Sequence, residues 1–485
     1  MKKFLLLNPP LSEVERSGAL AKATARSLPY GLLSVAAVAR EAGYAVEILD
    51  AAIDGLGLPE TAERVLAAKP DYLGITTVTV SIDRTAELAD LIKRQAPSLP
   101  IIVGGAHLSS VPEETLRRFP GFDLGVIGEA EVSVVALLRA LDAGADLGGV
   151  NGIIFRREGD LVRTPKQALI KDLDVLPLPA WDLVPDVVRR YRPSAPSYLR
   201  LPSTTIVTSR GCVGNCLFCN SKSIHGYLRC FSAEYVLKLI RHLVKHYGLR
   251  DLSLYDDNFL FHPERVEAVC RTLLDEKIDL TWSCYSRVDQ GNPELFRLMK
   301  KAGCWQVSYG VESGSQLILD FIRKHVTLEQ IERTLVATKQ AGLRTRGFFM
   351  IGHMRETHDT IRQTLDFLLR LPLDDFHFTT FTPLPGTPAY EIADQYGTFD
   401  RTWSKMNLQY PSFIPHGLTA QDLEAYSKLA YRRFYFRPRV LLGYLGMLLR
   451  HPRNLLRLWN GLQALVTRIF LKDHSDKQAY KSSAG

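Results

Sequence analysis

The chain is predicted to be an α/β protein: a doubly wound parallel sheet, then a partial (β/α)6 barrel, then a helical region. Three observations predict this. Short apolar runs alternate with amphipathic helical stretches over residues 1–140, the pattern of a parallel sheet with crossover helices. The same alternation starts again near residue 200, after a Pro-rich interruption. From about residue 400 the pattern is helical and basic. At 485 residues the chain is too long for one ordinary core, and the expected boundaries are 1–145, 146–200, 201–400 and 401–485.

Each element can be justified in order. "KKFLLLN" is an apolar strand; its run ends at Asn-Pro-Pro after four apolar residues, which reads as a strand entering a loop rather than a leader. "YGLLSVAAVAREAG" is a helix stopping at Gly43, and "YAVEILD" a second strand. "PETAERVLAAK", "DYLGITTV" and "IDRTAELADLIKRQ" give helix, strand and helix. "IIVGG", "VPEETLRRF", "LGVIG" and "EVSVVALLRALDAG" complete the first series. "NGIIFRREGDLVRTP" has the form of a hairpin, and "LPLPAWDLVP" of a connector. The second series has strands "TTIVTSRG", "DLSLYDD", "DLTWSCYS", "WQVSYGVES", "TRGFFMIG" and "DFHFTTFTP", separated by amphipathic helices. Six such units suit an open barrel of TIM type, whose site lies at the carboxyl ends of its strands.

Composition narrows the class. With 46% hydrophobic and 23% charged residues the chain is globular, neither disordered nor bilayer-spanning. The net charge of +8 is concentrated: Ala425 to Lys472 holds ten Lys/Arg and no Asp or Glu. The remainder is close to neutral, so nucleic-acid binding by the main body has no support. The seven cysteines do not form a disulfide framework, which points to the reducing cytoplasm. Cys270, Cys284 and Cys304 read as core residues.

"TSRGCVGNCLFCN" places Cys212, Cys216 and Cys219 directly after the first barrel strand. Two metal readings are open on these residues alone. A structural zinc needs a fourth ligand, for which His225 or Cys230 are candidates. A [4Fe-4S] cluster on three thiolates leaves one iron for a chelating small molecule.

The C-x3-C-x2-C spacing at the start of such a barrel resembles the radical S-adenosylmethionine (SAM) superfamily, and further motifs follow in order. The resemblance implies that Cys212, Cys216 and Cys219 hold a [4Fe-4S] cluster and that Phe218 lies beside the adenine of SAM. "YDDNF" (with Asp257), "SRVD" (with Arg287), "YGVESGS" (with Glu312 and Ser313) and "GFFMIG" (with Ile351 and Gly352) resemble its SAM-binding strand ends. "TPLPGTP" resembles its sixth-strand motif. One departure stands out: relatives carry Leu-Pro-Gly-Glu-Thr after the fifth strand, where this chain has His353, Met354, Arg355, Glu356 and Thr357. His353 and Arg355 are thus either substrate contacts or part of a solvated loop.

No G-x-G-x-x-G follows the first strand, so a dinucleotide is not expected. With the downstream barrel, "LPYGLLSVAAVAREAGYAVEILDA" and "DLDVLPLPAW" resemble the cobalamin (B12)-binding radical SAM enzymes, whose first domain is Rossmann-like. The implied cobalamin contacts are Asn8 and Pro9, Thr76 and Thr77 within "ITTVTVS", Gly104 and Gly105 in "VGGAHLS", Gly128 and Glu129 in "GVIGEAE", and His107, which reads either as a corrin contact or as a loop hydrogen bond. The Asp-x-His-x-x-Gly loop that gives cobalt a histidine is missing, so base-off binding without histidine is expected.

That resemblance implies cleavage of SAM to a 5′-deoxyadenosyl radical, hydrogen abstraction from an unactivated carbon, and methyl transfer from methylcobalamin. It names no catalytic side chain. Alternatives are radical cyclisation or ring rearrangement of an apolar lipid or tetrapyrrole, and a non-catalytic cobalamin or redox sensor. The implied partners are an apolar small-molecule substrate and a ferredoxin- or flavodoxin-type reductant. "LLRLWNGLQALVTRIFL" places Leu455, Leu458, Trp459, Leu462, Leu465, Val466 and Ile469 on one helical face. That stripe and the basic charge suit a peripheral membrane surface, or else a helical cap over the barrel.

Overall fold

The computed structural model describes residues 1–17, 25–184, 186–194, 197–450, 461, 463, 465 and 466. Two parallel sheets organise it. The first contains β1 (Lys3–Asn8), β2 (Ala45–Asp50), β3 (Tyr72–Thr76), β4 (Ile101–Gly104), β5 (Leu124–Val126), β6 (Ile153–Arg157) and β7 (Asp160–Arg163) in the order β2-β1-β3-β4-β5-β6-β7. The pairs from β2 through β5 are parallel; β6 and β7 pair antiparallel. The hairpin read from "NGIIFRREGDLVRTP" thus continues the first sheet as its antiparallel edge. Apolar residues on both faces of the central strands explain the near-continuous hydrophobic runs: Leu5 and Leu7 face one core, Phe4 and Leu6 the other.

The second sheet begins before a short ribbon and continues after it. β8 (Ser203–Ile206) leads into β9 (Ser209–Arg210), which pairs antiparallel with β10 (Arg229–Cys230) across the cysteine loop. β11 (Asp251–Leu254), β12 (Thr281–Arg287), β13 (Cys304–Glu312), β14 (Arg344–Ile351) and β15 (Asp375–Thr380) then add in sequence, all parallel, from β8 to β15. This is a six-stranded partial barrel. Its helices follow from sequence: in Ala233–Tyr247, Ser232 caps the start, Gly248 ends it at φ 62°, and Val236, Leu239, Ile240 and Leu243 bury one face. Cys270, Cys284 and Cys304 are buried core residues, and no cysteine of the described residues is in a disulfide.

The connector touches both halves: Trp181 packs against Tyr247 of the helix Ala233–Tyr247, whose Tyr235 hydroxyl donates to the Pro177 carbonyl at 2.9 Å, and further contacts reach the first domain. Trp181 is 1% exposed and meets Tyr30 edge-on, the Ala180 amide donates to the Leu33 carbonyl at 3.1 Å, and the Tyr191 hydroxyl donates to Asp50 at 2.8 Å. A strand pair β16 (Gly397–Phe399) and β17 (Phe413–Pro415) follows the barrel, and between them Trp403 packs edge-on against His107 of the first domain. The helices Ala420–Tyr435 and Pro438–Arg450 close the described chain. The first starts beside the loop after β14, where a Cβ at Gly352 would stand 3.1 Å from Leu423, and both reach Asp375 at the amino end of β15 through Tyr435 and Tyr444. Of the apolar stripe that starts at Leu455, only Leu465 and Val466 lie within the described residues.

Candidate functional site

The cysteine loop is fixed before it reaches its thiols. Gly211 enters it at φ 82°, where a Cβ would lie 2.6 Å from the Tyr227 carbonyl oxygen, so only glycine fits. The Leu217 amide donates to the Ile322 carbonyl (2.9 Å), and its carbonyl accepts from Ala389 (3.0 Å). Cys212 and Cys216 flank Gly214: a Cβ there would stand 3.5 and 3.7 Å from their sulfurs and 3.1 Å from Nη1 of Arg287. Cys219 lies at the exposed end of the loop. Burial pushes the Cys216 thiol up, opposed by the positive charges of Lys324 and Arg287. No three His, Cys, Asp or Glu side chains of the described residues lie close enough as they stand to hold a single metal ion. The two candidates for a fourth ligand are engaged elsewhere: His225 contacts Glu129, and Cys230 lies in the β9–β10 ribbon. Three thiolates on one loop, with two cations beside them, are a donor set that fits an anionic iron–sulfur cluster.

The other strand ends gather around this loop. Ser221 donates to Asp257, tying the end of β11 to the residues after Cys219. Asn258 accepts from the Ser286 hydroxyl and the Arg287 amide, joining "YDDNF" to "SRVD". Arg287 is held by Asp289 and donates to the Lys324 carbonyl at 2.9 Å. Glu312, at φ 69°, ends β13 and pairs with Lys324 at 2.7 Å. Ser313 points away from the mouth: it is wholly buried and shares a hydrogen bond with Thr364. Phe218 packs against the cluster containing Met354 and Phe381, beside the loop after β14.

That loop differs from the solvated alternative. His353 and Glu356 are 0% and 2% exposed, while Arg355 is exposed and lies over the Phe321 ring. Glu356 takes over the work of the missing Pro-Gly turn by accepting the Gly352 and His353 amides. Its burial pushes the carboxyl up to about 8, against the pull of those two donors. Burial pushes His353 down to about 3, so it is neutral near pH 7. The Gly352 amide is therefore occupied, and the Ile351 carbonyl accepts from Phe381 at 2.7 Å.

A cavity of about 420 Å³ lies between the carboxyl edge of the first sheet and the cysteine loop. Thr76, Gly104, Gly105, Gly128 and Glu129 line one side; Gly211, Ile224, His225, Tyr255 and Asp257 line the other. Gly105 adopts φ 98° and a Cβ there would stand 2.7 Å from the Thr77 carbonyl oxygen, so a glycine keeps this wall flat. A mostly apolar hollow bounded by glycines fits a large flat macrocycle such as a corrin. Asn8, Pro9, Thr77 and His107 do not line it. Asn8 donates to Asp50 at 2.7 Å, and Thr77 to the Gly104 carbonyl at 2.7 Å. His107 is fully buried, bonds Thr79 at 3.2 Å and packs on Trp403, its imidazole pushed down to about 3 by burial.

Sequence reasoning singled out Glu129 on the wall of this cavity but missed the charges around it. Arg210 pairs with Glu131 at 2.5 Å and lies 3.4 Å from Glu129, while Arg229 pairs with Glu129 and Ser34 donates to Glu131 at 2.8 Å. Burial acts to raise the Glu129 carboxyl. Hydrogen bonds from His225 and Arg229 and the nearby guanidinium charges outweigh it and bring the group to about 2. The sequence shows two acids in "GEAE" and one arginine in each of "SRG" and "LRC", but not that they pair.

Comparison with known proteins follows this division. A B12 binding domain model matches residues 16–138, and a radical SAM superfamily model matches residues 206–368. An uncharacterized methyltransferase of Pyrococcus horikoshii is 31% identical over 91% of this chain and 94% of its own. The anaerobic magnesium-protoporphyrin IX monomethyl ester cyclase of Rubrivivax gelatinosus is 27% identical over 84% of this chain and 73% of its own. Among solved structures, the radical SAM methyltransferase TsrM of Kitasatospora setae, with cobalamin and a [4Fe-4S] cluster bound, superposes with a TM-score of 0.65 at 21% identity, covering 81% of this chain and 75% of that one.

Proposed function

We propose methyl transfer on this premise: the chain belongs to the radical SAM enzymes that carry a B12-binding domain. When bound, the [4Fe-4S] cluster with SAM supplies a 5′-deoxyadenosyl radical and cobalamin supplies a methyl group. The substrate is an apolar small molecule with an unactivated carbon, and the electron comes from a ferredoxin- or flavodoxin-type reductant. Contact with a membrane surface through the C-terminal helices belongs to the same reading.

One observation carries the proposal: Asp257 lines the inter-sheet cavity and is bonded to Ser221, two residues beyond Cys219. The space suited to a corrin and the loop suited to the cluster thus share a wall. Cys212, Cys216 and Cys219 would hold the cluster; Arg287, Glu312 and the backbone around Gly352 would orient SAM. Thr76, Gly104, Gly105 and Gly128 would seat the corrin. The Glu129–Arg229 and Glu131–Arg210 pairs fix the two halves relative to each other, and the surrounding apolar walls keep water from the reacting carbon.

Reconstituted protein, supplied with methyl-labelled SAM, reductant and a candidate substrate, tests this. Label in the product supports methyl transfer. Formation of 5′-deoxyadenosine with an unlabelled, rearranged product would replace it with the cyclisation seen in the name of the Rubrivivax relative.

A further inference from the structure

The helix Pro438–Arg450 has two unlike faces. Val440 and Met447 are 3% and 7% exposed, and Tyr444 bonds Asp375 at 3.3 Å under the Arg344 guanidinium. These residues clamp the helix to the amino end of the barrel. The opposite face carries Leu441, Leu442, Leu445 and Leu449, between 51% and 75% exposed, and Phe436 just before it is 59% exposed. Leu441, Leu445 and Leu449 follow one another at i, i+4, i+8, so they form a single ridge, with Leu442 beside it. A contiguous exposed apolar ridge marks an interaction surface rather than chance exposure. Arg432, Arg433 and Arg439 are exposed close by, and no Asp or Glu occurs between Ala425 and Lys472.

We infer that this ridge docks on an anionic lipid surface, with the helix lying in the plane of the interface. Apolar residues on one side, arginines at the border and no acids are what a negatively charged headgroup layer complements. The chain lies on the bilayer rather than crossing it: no helix of the described residues is long and apolar enough to span. The geometry adds an orientation. The helix sits at the amino ends of β14 and β15, so docking places the lipid surface at the end of the barrel opposite the cysteine loop. This deepens the membrane contact in the proposed reading and does not depend on the transfer chemistry.

Co-sedimentation of the full-length, cluster-loaded protein with vesicles tests it. Phosphatidylglycerol-containing vesicles should carry the protein down, and pure phosphatidylcholine vesicles should leave it in solution. The combined change of Leu442, Leu445 and Leu449 to Gln should abolish binding. Arg432→Gln and Arg433→Gln should each weaken it about fivefold. Brown cluster absorbance and 5′-deoxyadenosine formation report that each variant is folded. Leu445→Trp supplies an independent signal: its fluorescence should shift to the blue on adding anionic vesicles only. Equal binding to both vesicle types, or unchanged binding by the glutamine variant, would overturn the assignment. A dimer in solution that the glutamine variant makes monomeric, without vesicle binding, would give the ridge to a second copy instead.

Discussion

Arg229, on the ribbon beside the cysteine loop, pairs with Glu129 of the first domain, Nη1 3.0 Å from Oε2 and Nη2 2.5 Å from Oε1. The pair is buried, and Glu129 lines the inter-sheet cavity with Arg229 behind it. Removing Arg229 takes away its hydrogen bonds to Glu129 and leaves Arg210, 3.4 Å away, as the remaining guanidinium, a loss of about 1–3 kcal/mol. Arg229→Met should therefore lower the chemical denaturation midpoint sharply and weaken cobalamin retention, read by absorbance after desalting. The Glu129 carboxyl also predicts a pH dependence. Its folded value, about 2, lies below the ordinary 4.5, so the stabilisation is complete above about 4.5 and is lost as pH falls toward 2. Unfolding followed from pH 5 down to 2 should show that loss, and Glu129→Gln should remove the slope it contributes.

Glu356 has the opposite sign. Its carboxyl is raised to about 8, so its protonated form is favoured in the folded protein. Any stability linked to it is full below about 4.5 and is lost as pH rises through about 8. Glu356→Gln keeps an acceptor for the Gly352 and His353 amides. It should change stability by less than about 1 kcal/mol and flatten the alkaline limb. Glu356→Ala frees both buried amides and should cost about 2–3 kcal/mol while weakening SAM binding, measured by equilibrium dialysis.

Gly105 gives a sharper test of the cavity. Ala at this position meets the Thr77 carbonyl at 2.7 Å and must adopt φ near 98°, which L side chains rarely do. Gly105→Ala should lose at least about 1–3 kcal/mol and reduce cobalamin binding, with the cluster absorbance unaffected. Cluster loss in this variant would mean that the cavity and the cysteine loop are not separable sites.

The contrast between these positions and the ones read from sequence has a physical basis. Strands, crossover helices and the cysteine loop are local patterns, so periodicity and spacing reveal them without any tertiary contact. Glu131 and Arg210 are 79 residues apart, and Glu129 and Arg229 are 100 apart. Glu129 reads from sequence as a cobalamin contact and the other three as ordinary surface charges, because the partner of each lies in the other domain. His107 illustrates the same limit. Its place after two glycines allows a corrin contact or a loop hydrogen bond; Trp403, far along the chain, closes over it and leaves it bonded to Thr79. The loop after β14 was legible as unusual, yet only the fold shows Glu356 turning back to hold it.

Lys324 and Glu312 carry the last prediction, because they separate stability from cofactor binding. Lys324 is 5% exposed, its Nζ lies 2.7 Å from Oε1 of Glu312, and Gly310 leaves the room for both: a Cβ there would come within 2.5 Å of the carboxylate. Lys324→Met should strand the buried carboxylate and cost about 3–5 kcal/mol. Combining it with Glu312→Gln removes the stranded charge, so most of that stability should return in urea unfolding. SAM affinity should not return with it, because the same carboxylate is expected at the ribose and amino-acid end of the cofactor. A double variant that regains both stability and SAM affinity would show that Glu312 serves the fold alone. One that regains stability while SAM binding stays weak assigns Glu312 to the cofactor, with Lys324 as the residue that positions it.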